Sequence, residues 1–185
     1  KEQWNGFLLG QPRGHLLQSY EWGELNRYLG GQIHRLGAFE EDGRMVGSML
    51  LTLAPVAGRR VPLNWLYSSR GPTVESPDSP ALAALLEYAR KMLAKPTHAI
   101  ALRLEPNVAD DDPALEQWEA AYRALGFQTN PYAMHGRRSW VLDIRPGAEE
   151  LLAKFKMTWR QNVRSAERKG VVRSEERRVG KKVIS

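Results

Sequence analysis

Four basic residues recur at every fourth position near the C-terminal end of the sequence. The row consists of Lys156, Arg160, Arg164 and Arg168. Because residues four apart lie on one face of an α-helix, this spacing predicts a basic stripe along a helix. Asn162 lies between two of the arginines and Lys169 follows the last one, and both can donate hydrogen bonds. Such a surface suits the phosphates of a nucleic acid, although rows of charge on helices are often only solvated faces.

The same segment also carries an apolar face. Over residues 149–169 apolar side chains recur at spacings of three and four, which predicts one long amphipathic helix. They are Leu151, Leu152, Phe155, Trp159, Val163 and Ala166. Residues 140–144 are predicted to form a strand, and Pro146 and Gly147 separate this strand from the helix.

Three shorter segments place polar groups where predicted elements begin or end. Gln18 and Ser19 stand directly before a predicted helix, where Ser19 is either a contact residue or a simple helix N-cap. Arg70 and Gly71 follow a predicted strand. They lie either in a loop that exposes backbone amides and a guanidinium, or in a turn whose arginine pairs with a carboxylate. Glu105 stands at the end of another predicted strand, where a substrate cleft would lie.

The sequence lacks the residue patterns of several common enzyme classes. It has no cysteine, which removes disulfides, thiol catalysis and cysteine metal sites. Its four histidines are scattered, so no metal site is predicted, and no cofactor is expected either. Residues 44–49 imitate the pyrophosphate loop of acetyl-CoA enzymes, but the pattern fails at its last position and lies in a predicted strand. These patterns name no catalytic residue.

The remaining periodicity predicts alternating helices and strands. Helices are expected at residues 3–9, 20–29, 79–94 and 113–125, and an extended segment at 16–19. Strands are expected at residues 32–39, 44–53, 61–67, 99–104 and 140–144, the first two joined by a turn at residues 41–43. This order resembles the acetyltransferase-like (GNAT) topology. It predicts an α/β (α+β) fold with a mixed, mostly antiparallel sheet flanked by helices.

The basic charge is concentrated at one end of the chain. The 185 residues carry a net charge of +6. Residues 1–144 hold 15 Lys and Arg against 16 Asp and Glu, whereas residues 145–170 hold 7 against 3 and residues 171–185 hold 5 against 2. No apolar run approaches the roughly 20 residues of a membrane span, and the first residues lack the features of a signal peptide. We therefore expect a cytoplasmic protein.

Residues 173–185 are interpreted as a non-native tail. Residues 173–181 read RSEERRVGK, which resembles the in-frame translation of a common sequencing-library adapter. Such a segment is excluded from fold reasoning. Under this interpretation the natural chain continues beyond about residue 172. The alternative is a genuine basic tail.

An ordered series of short motifs resembles the Fem family, the FemA/FemB/FemX-type aminoacyltransferases that build peptidoglycan interpeptide bridges. The motifs are GHLLQSYEWG at 14–23, RGP at 70–72, LRLEP at 102–106, LGF at 125–127, WVLD at 140–143 and RQNVRSAERKG at 160–170. The motifs follow one another in the order and at the spacing of that family over residues 4–172.

The resemblance implies two tandem GNAT-like domains. Residues 1–144 would be the first domain and residues 145–172 the opening helix of a truncated second one. The implied reaction transfers an amino acid from aminoacyl-tRNA to an amine of a peptidoglycan precursor, without ATP, metal or coenzyme A. The catalytic residues, which are unknown, would lie in the missing second domain. The chain alone is therefore expected to be inactive.

The resemblance also implies site residues. The precursor is expected to contact Gln18, Ser19, Trp22, Asn26, Arg27, Arg70, Gly71 and Glu105. The tRNA is expected to contact Lys156, Arg160, Asn162, Arg164, Arg168 and Lys169. Family members typically carry a phosphate-contacting lysine on the helix after the Trp-Gly motif. Asn26 occupies that position here and Arg27 follows it, so either the cation is shifted by one residue or precursor binding differs.

Two other functions remain open at this point. A CoA-dependent N-acyltransferase of the same fold would bind coenzyme A, and the missing pyrophosphate loop speaks against it. A non-enzymatic nucleic-acid-binding module would bind RNA or DNA through the basic helix, without preference for charged tRNA. A peripheral membrane contact is a further expectation. Self-association through the apolar face of residues 149–169 is another, since the sheet that would cover this face lies in the missing domain.

Overall fold

The computed structural model of the chain describes residues 1–56, 62–132, 134 and 142–171. The chain divides into two compact units, Lys1–Arg137 and Arg138–Ser185. The first unit contains α1 (Glu2–Leu9), α2 (Tyr20–Tyr28), β1 (Ile33–Phe39), β2 (Met45–Pro55), β3 (Asn64–Ser69), β4 (Thr73–Val74), α3 (Pro80–Tyr88), β5 (Ala99–Glu105) and α4 (Leu115–Ala124). The second unit contains α5 (Ala148–Lys154) and α6 (Met157–Arg168).

Within the described residues, five strands form one mixed sheet in which antiparallel pairs predominate. The strand order is β1-β2-β3-β5, and the short β4 pairs with β2. The pairs β1/β2, β2/β3 and β2/β4 are antiparallel, whereas β3 and β5 run parallel. Ser69 pairs with Glu105 at the last position of the parallel pair, so the C-terminal ends of these strands lie side by side. The predicted α/β class with a mixed, mostly antiparallel sheet is confirmed.

Helices cover the two faces of the sheet because side chains alternate along β2. Met49 and Leu51 pack on the α3 side, in a core cluster that also contains Trp118 of α4. The intervening Leu50 packs on the opposite side, against Trp4 and Leu8 of α1. The residues that α3 buries recur at helical spacing: Leu82, Leu85, Leu86 and Ala89. Each fully buried leucine contributes about 1.5–3 kcal/mol relative to exposure.

The turn predictions of the first unit are largely confirmed. Gly30 follows α2 with a φ of 84°, and Gly43 follows β1 with a φ of 83°, a backbone conformation that favours glycine. The helix predicted over residues 79–94 continues past α3 as a π-helical turn, Ala89–Leu93. The helix predicted over residues 113–125 begins two residues later, at Leu115, where the Asp112 carboxylate accepts the backbone amide of Ala114.

Three predictions for the first unit are wrong in part. Residues 16–19 are not extended, because Leu16–Gln18 form a 3₁₀ turn. The third strand begins at Asn64, and residues 62–63 before it are not in a strand; residue 61 lies outside the described residues. The apolar residues at 99–104 are typical of a buried strand, but Ile100 is 58% exposed, since β5 ends the strand order among the described residues.

Two predictions for residues 140–169 are wrong in detail. Residues 140 and 141 of the predicted strand lie outside the described residues, and residues 142–144 form no strand. The single helix predicted over residues 149–169 is two helices, because Phe155 and Lys156 are extended, with ψ of 150° and 147°. Neither proline nor glycine marks the break, and the apolar spacing continues through it. The sequence pattern therefore could not show it.

Candidate functional site

Gln18 is fully buried and joins segments that are distant in sequence. Its side-chain amide donates to the Ser69 carbonyl oxygen at 2.6 Å and to the Ser68 hydroxyl at 3.2 Å, and its side-chain oxygen accepts the Leu50 backbone amide at 2.8 Å. Its backbone carbonyl accepts the indole N–H of Trp4 at 2.7 Å. Gln18 thus fixes the turn before α2 on β2 and β3. In this structure it supports the site from within and does not face solvent.

The predicted contact residues on and before α2 have local structural roles. The Ser19 hydroxyl caps α2 by accepting the Trp22 backbone amide at 3.0 Å. Trp22 is half-buried against the cluster beneath α1. The Asn26 side chain donates to the Trp22 carbonyl oxygen at 2.8 Å, and Arg27 pairs with Glu24 at 3.1 Å. Of these side chains, Arg27 offers the most exposed polar group.

The turn after β3 is built tightly against Gln18. Arg70 has a φ of 54°, which turns the chain sharply at the end of the strand. A Cβ at Gly71 would lie 2.5 Å from Cδ of Gln18, so any larger residue there would force the Gln18 side chain to shift. Arg70 makes no hydrogen bond or ion pair with any other described residue. Among the described residues, Arg70 therefore does not pair with a carboxylate, which was one of the two predicted alternatives. Its guanidinium is free to bind an anion.

Glu105 ends β5, and its carboxylate is held from two sides. The Tyr67 hydroxyl donates to one oxygen at 2.6 Å, and the Met134 backbone amide donates to the other at 2.5 Å. The Arg103 guanidinium lies 3.9 Å from the same carboxylate. Burial and the hydrogen bond to Glu105 raise the pKa of Tyr67. The phenol therefore stays neutral and continues to donate its proton to Glu105.

Arg70 and Glu105 line one cavity of about 540 Å³ beside β5. The walls are residues 101–106, one face of α4 and the segment 127–132. The aromatic lining consists of Trp65, Trp118, Tyr122, Phe127 and Tyr132. The volume lies within the usual range of small-molecule sites. Of the eight predicted precursor contacts, the structure brings Arg70 and Glu105 together here. The other six do not line this cavity.

The polar groups of the cavity can bind a ligand of mixed charge. A carboxylate has about four lone-pair positions, so Glu105 can accept further hydrogen bonds, for example from an ammonium group. The Arg70 guanidinium suits a carboxylate or phosphate. Among the residues that the structure describes, the lining includes neither histidine nor cysteine. The cavity thus presents a hydrogen-bond acceptor for a cationic group and a guanidinium for an anionic group.

Several residues of this site were missed by the sequence analysis. Tyr67 holds Glu105, and Arg103 donates to the Tyr132 carbonyl oxygen and lies 5.7 Å above the ring centroid of Trp65. Arg103 and Glu105 are two apart on one strand, so they share a face of the sheet. From that spacing, the sequence could have placed Arg103 beside Glu105 in the site. The pairing of Tyr67 with Glu105 depends on strand order and had no signal in the sequence.

The second unit carries the basic stripe in shortened form. Arg160 and Arg164 are four apart within α6, Arg168 continues the row, and no described carboxylate pairs with them. Lys156 precedes α6 as its N-cap residue, so it lies outside the helical part of the row. At about 100° per residue, Asn162 and Lys169 lie roughly half a turn from Arg160. The structure therefore groups three of the six predicted tRNA contacts on one face.

The apolar residues of α6 are exposed within the part of the chain that the structure describes. Trp159 is 63% exposed, and Val163, four residues further on, is 36% exposed. No residue of α5 or α6 is buried. The helix thus presents an apolar stripe and a separate row of cations.

The described residues contain no group of three or more His, Cys, Asp or Glu that could hold a metal ion. Within the same residues, no helix is both long and apolar enough to cross a membrane.

Known structures and sequences resemble this chain. The crystal structure of FemX superposes on 90% of the chain and 42% of its own length, with a TM-score of 0.69 and 27% identity. A probable acetyltransferase aligns with 78% of this chain and 87% of its own, with a TM-score of 0.43 and 17% identity. Lipid II:glycine glycyltransferase of Staphylococcus aureus is 28% identical over 193 residues, which cover all of this chain and 44% of that protein.

The chain thus spans less than half the length of the curated relatives that it matches. The profile of the FemAB family matches residues 1–178. Since this match takes in both compact units and nearly the whole sequence, the chain belongs to the FemAB family.

Proposed function

We propose that this chain is the acceptor-binding part of an aminoacyltransferase that transfers an amino acid from aminoacyl-tRNA to an amine of a peptidoglycan precursor. Membership of the FemAB family and similarity to a protein named for its action on lipid II support the reaction class. The structural observation that carries the proposal is the convergence of Arg70 and Glu105 on one cavity. In this proposal, residues 1–144 form a first GNAT-like domain and residues 145–172 open a second one.

The acceptor would bind through its charged groups. Its ammonium group would donate to Glu105, which Tyr67 and the Met134 amide hold in place at 2.6 Å and 2.5 Å. A carboxylate or phosphate of the same molecule would bind Arg70. Because Glu105 is already held, little side-chain entropy is lost on binding.

The reaction itself needs little from this part of the chain. The ammonium group first loses one proton to water, which leaves a neutral amine. The amine nitrogen then forms an amide bond with the carbonyl carbon of the aminoacyl ester, the ester bond to the ribose oxygen breaks, and a second proton moves from the nitrogen to that oxygen. The ester is already activated, so positioning and stabilisation of the oxyanion supply the rate enhancement. We place the groups that stabilise the oxyanion in the part of the protein beyond this chain.

The donor would bind the basic row of α6. Arg160, Arg164 and Arg168 offer three guanidinium groups without ion-pair partners among the described residues. Phosphate contacts of this kind are sequence-independent and depend on salt. Because aminoacyl-tRNA is made in the cytoplasm, we propose that the reaction takes place on the cytoplasmic side of the membrane.

The proposal is tested by an assay of transfer. The intact reading frame is recovered from the source DNA, and its product is incubated with tRNA charged with a labelled amino acid and with a soluble stem-peptide precursor. We expect label in the precursor with the longer product and none with the 185-residue chain alone. Glu105→Gln should lower transfer about 10- to 100-fold at subsaturating acceptor, because it weakens a charge-assisted hydrogen bond.

Glu119→Gln is the matched control, because Glu119 also lines the cavity but pairs with Arg123. It should change transfer less than twofold. Equal losses of transfer activity in Glu105→Gln and Glu119→Gln would contradict the role of Glu105 in binding the acceptor. Transfer from an acyl-CoA, with none from aminoacyl-tRNA, would instead establish a CoA-dependent acyltransferase.

A further inference from the structure

Two polar groups on the α4 side of the cavity beside β5 have no hydrogen-bond partner. They are the indole N–H of Trp118 and the hydroxyl of Tyr122, and both residues line the cavity. The two polar atoms are buried, and neither makes a hydrogen bond within the described part of the chain. Native proteins satisfy the large majority of buried N–H and O–H groups, because an unpaired one costs stability. Two unpaired groups on one wall of a cavity therefore indicate a missing ligand.

The rings that carry these groups are held in place by their neighbours. Trp118 is 3% exposed, and the Arg13 guanidinium lies 5.1 Å from its ring centroid. Tyr122, four residues further along α4, stacks on Trp118 at 6.3 Å between ring centroids. The Phe127 ring meets Tyr122 edge-on at 6.0 Å. The N–H and O–H groups are thus positioned before a ligand binds, which lowers the entropy cost of binding.

Both groups act as hydrogen-bond donors. An indole N–H can only donate. Burial raises the pKa of Tyr122, so its hydroxyl keeps its proton. Since residues four apart share one face of a helix, the two donors lie on the same side of α4. This wall therefore suits the oxygen atoms of a ligand.

The charged side chains beside the two donors are already paired. Arg13 donates to Asp112 at 2.7 Å. Glu119 and Arg123, the charged residues of α4 that line the cavity, pair with each other at 2.5 Å. A buried carboxylate needs a compensating charge, whereas an amide carbonyl needs only a hydrogen bond. The α4 wall thus favours neutral amide carbonyl oxygens.

We propose that Trp118 and Tyr122 determine specificity in this cavity by donating hydrogen bonds to amide carbonyl oxygens of a peptide whose ammonium group binds Glu105. The inference rests on the proposed function, because it names the part of the acceptor that the α4 wall recognises. Residues 128–132 form an adjoining wall, are exposed and belong to no helix or strand, so this wall can adjust as the peptide enters. An amine without carbonyl groups would leave both donors unpaired and would bind less tightly.

Two small amines test this specificity. Nα-acetyl-lysine methylamide carries an ammonium group and two amide carbonyls, whereas hexylamine carries an ammonium group and no carbonyl. Each is titrated into the ¹⁵N-labelled 185-residue chain, and its Kd is read from amide shifts. We expect the lysine derivative to bind about 10-fold or more tightly than hexylamine.

Removal of one hydroxyl isolates its contribution. Tyr122→Phe should weaken binding of the lysine derivative about 5- to 10-fold and change hexylamine binding less than twofold. The matched control is Tyr88→Phe, at a residue of α3 that is 50% exposed and does not line the cavity. It should change the Kd of either amine less than twofold.

The indole group can be observed without a substitution. The chain has six tryptophans, and the Trp118 indole resonance is identified by its nuclear Overhauser contacts with the stacked Tyr122 ring. We expect its N–H proton resonance to move downfield when the lysine derivative binds, because a hydrogen bond deshields the proton. Hexylamine should leave this resonance in place.

Thermal melts of the free chain separate this role from a structural one. Tyr122→Phe should leave the melting temperature unchanged or raise it, because it removes an unpaired hydroxyl. A fall of more than about 2 °C would show that the hydroxyl has a structural partner and would overturn the proposal.

Two further results would overturn the proposal. One is the absence of saturable binding of the lysine derivative to the parent chain. The other is an equal loss of affinity for both amines in Tyr122→Phe. Because these measurements use neither tRNA nor precursor, they are independent of the transfer assay, and a failed transfer assay alone would overturn only the proposed reaction.

Discussion

The polar groups around Gln18 and the cations of α6 differ in almost every physical respect. Gln18 is 0% exposed, and its side chain bonds to Leu50, Ser68 and Ser69. No residue of α6 is buried, and its arginines have no ion-pair partner among the described residues. A polar residue in a functional motif can thus serve by holding other residues in place, or by remaining free for a partner.

The difference has energetic consequences. A buried polar group that loses its partner costs about 1–3 kcal/mol, whereas exposed charges contribute little to folding. Substitutions around Gln18 should therefore act on stability, and substitutions on α6 should act on binding alone.

Replacement of Gln18 should have the largest effect. Gln18→Ala removes the partners of the Leu50 amide and the Ser69 carbonyl oxygen and leaves a cavity. We expect a loss of about 3–5 kcal/mol in the free energy of unfolding, measured by urea denaturation. The control is Gln128→Ala at an exposed residue, which should change the free energy of unfolding by less than about 0.5 kcal/mol. A loss below about 1 kcal/mol for Gln18→Ala would contradict its anchoring role.

Disturbing the contact between Gly71 and Gln18 should lower the stability of the fold by a smaller amount. Gly71→Ala places a Cβ 2.5 Å from the Gln18 side chain, so the free energy of unfolding should fall by about 1–3 kcal/mol. In a Gln18→Ala background the same change should cost much less, because the clash is gone. Gly6→Ala, where no atom lies within 4 Å, should instead stabilise α1. Additive losses in the double variant would show that the two residues are not coupled.

The pair of Arg13 and Asp112 should appear in the pH dependence of stability. The Ala114 backbone amide and the Arg13 guanidinium, at 2.7 Å, lower the pKa of Asp112 from its ordinary value of 3.8. A lowered carboxyl pKa stabilises the fold above the unfolded-state value, and this stabilisation is lost as the pH falls below it. Thermal melts between pH 6 and pH 2 should therefore show a shallower acid decline for Asp112→Asn. Parallel declines in the two proteins would contradict the assignment.

Charge reversal on α6 should have the smallest effect on stability. Arg164→Glu should change the free energy of unfolding by less than about 0.5 kcal/mol, since the side chain has no partner in the described structure. It should lower affinity for tRNA and reduce the slope of log affinity against log salt by about one. Lys91→Glu, at an exposed lysine outside α6 that pairs with Glu87, is the matched control. Equal losses of tRNA affinity in the two variants would contradict a specific role for the arginines of α6.

The sequence predicted those elements whose signals are local. The α2 boundary followed from Ser19 and the glycines after it, and the β1–β2 hairpin followed from its turn residues. The break at Phe155 and Lys156 carried no proline or glycine and was not predicted.

The site was predicted only in part, because its geometry depends on contacts distant in sequence. Gln18 meets Ser69 across 51 residues, and Tyr67 meets Glu105 across 38. Arg70 and Glu105 could be named because each follows a predicted strand. Their meeting on one cavity required the parallel pairing of β3 with β5, which periodicity alone does not specify.

Binding of the acceptor to the cavity beside β5 is measured most directly by NMR. An amine-bearing stem-peptide precursor is titrated into the ¹⁵N-labelled 185-residue chain, and amide shifts are followed. We expect the largest changes at residues 101–105 and 127–130, which line the cavity, and none at the hairpin turn of residues 40–44. Glu105→Gln should weaken the response about 10-fold or more. Saturable shifts elsewhere, with the residues beside β5 unchanged, would contradict the proposed site.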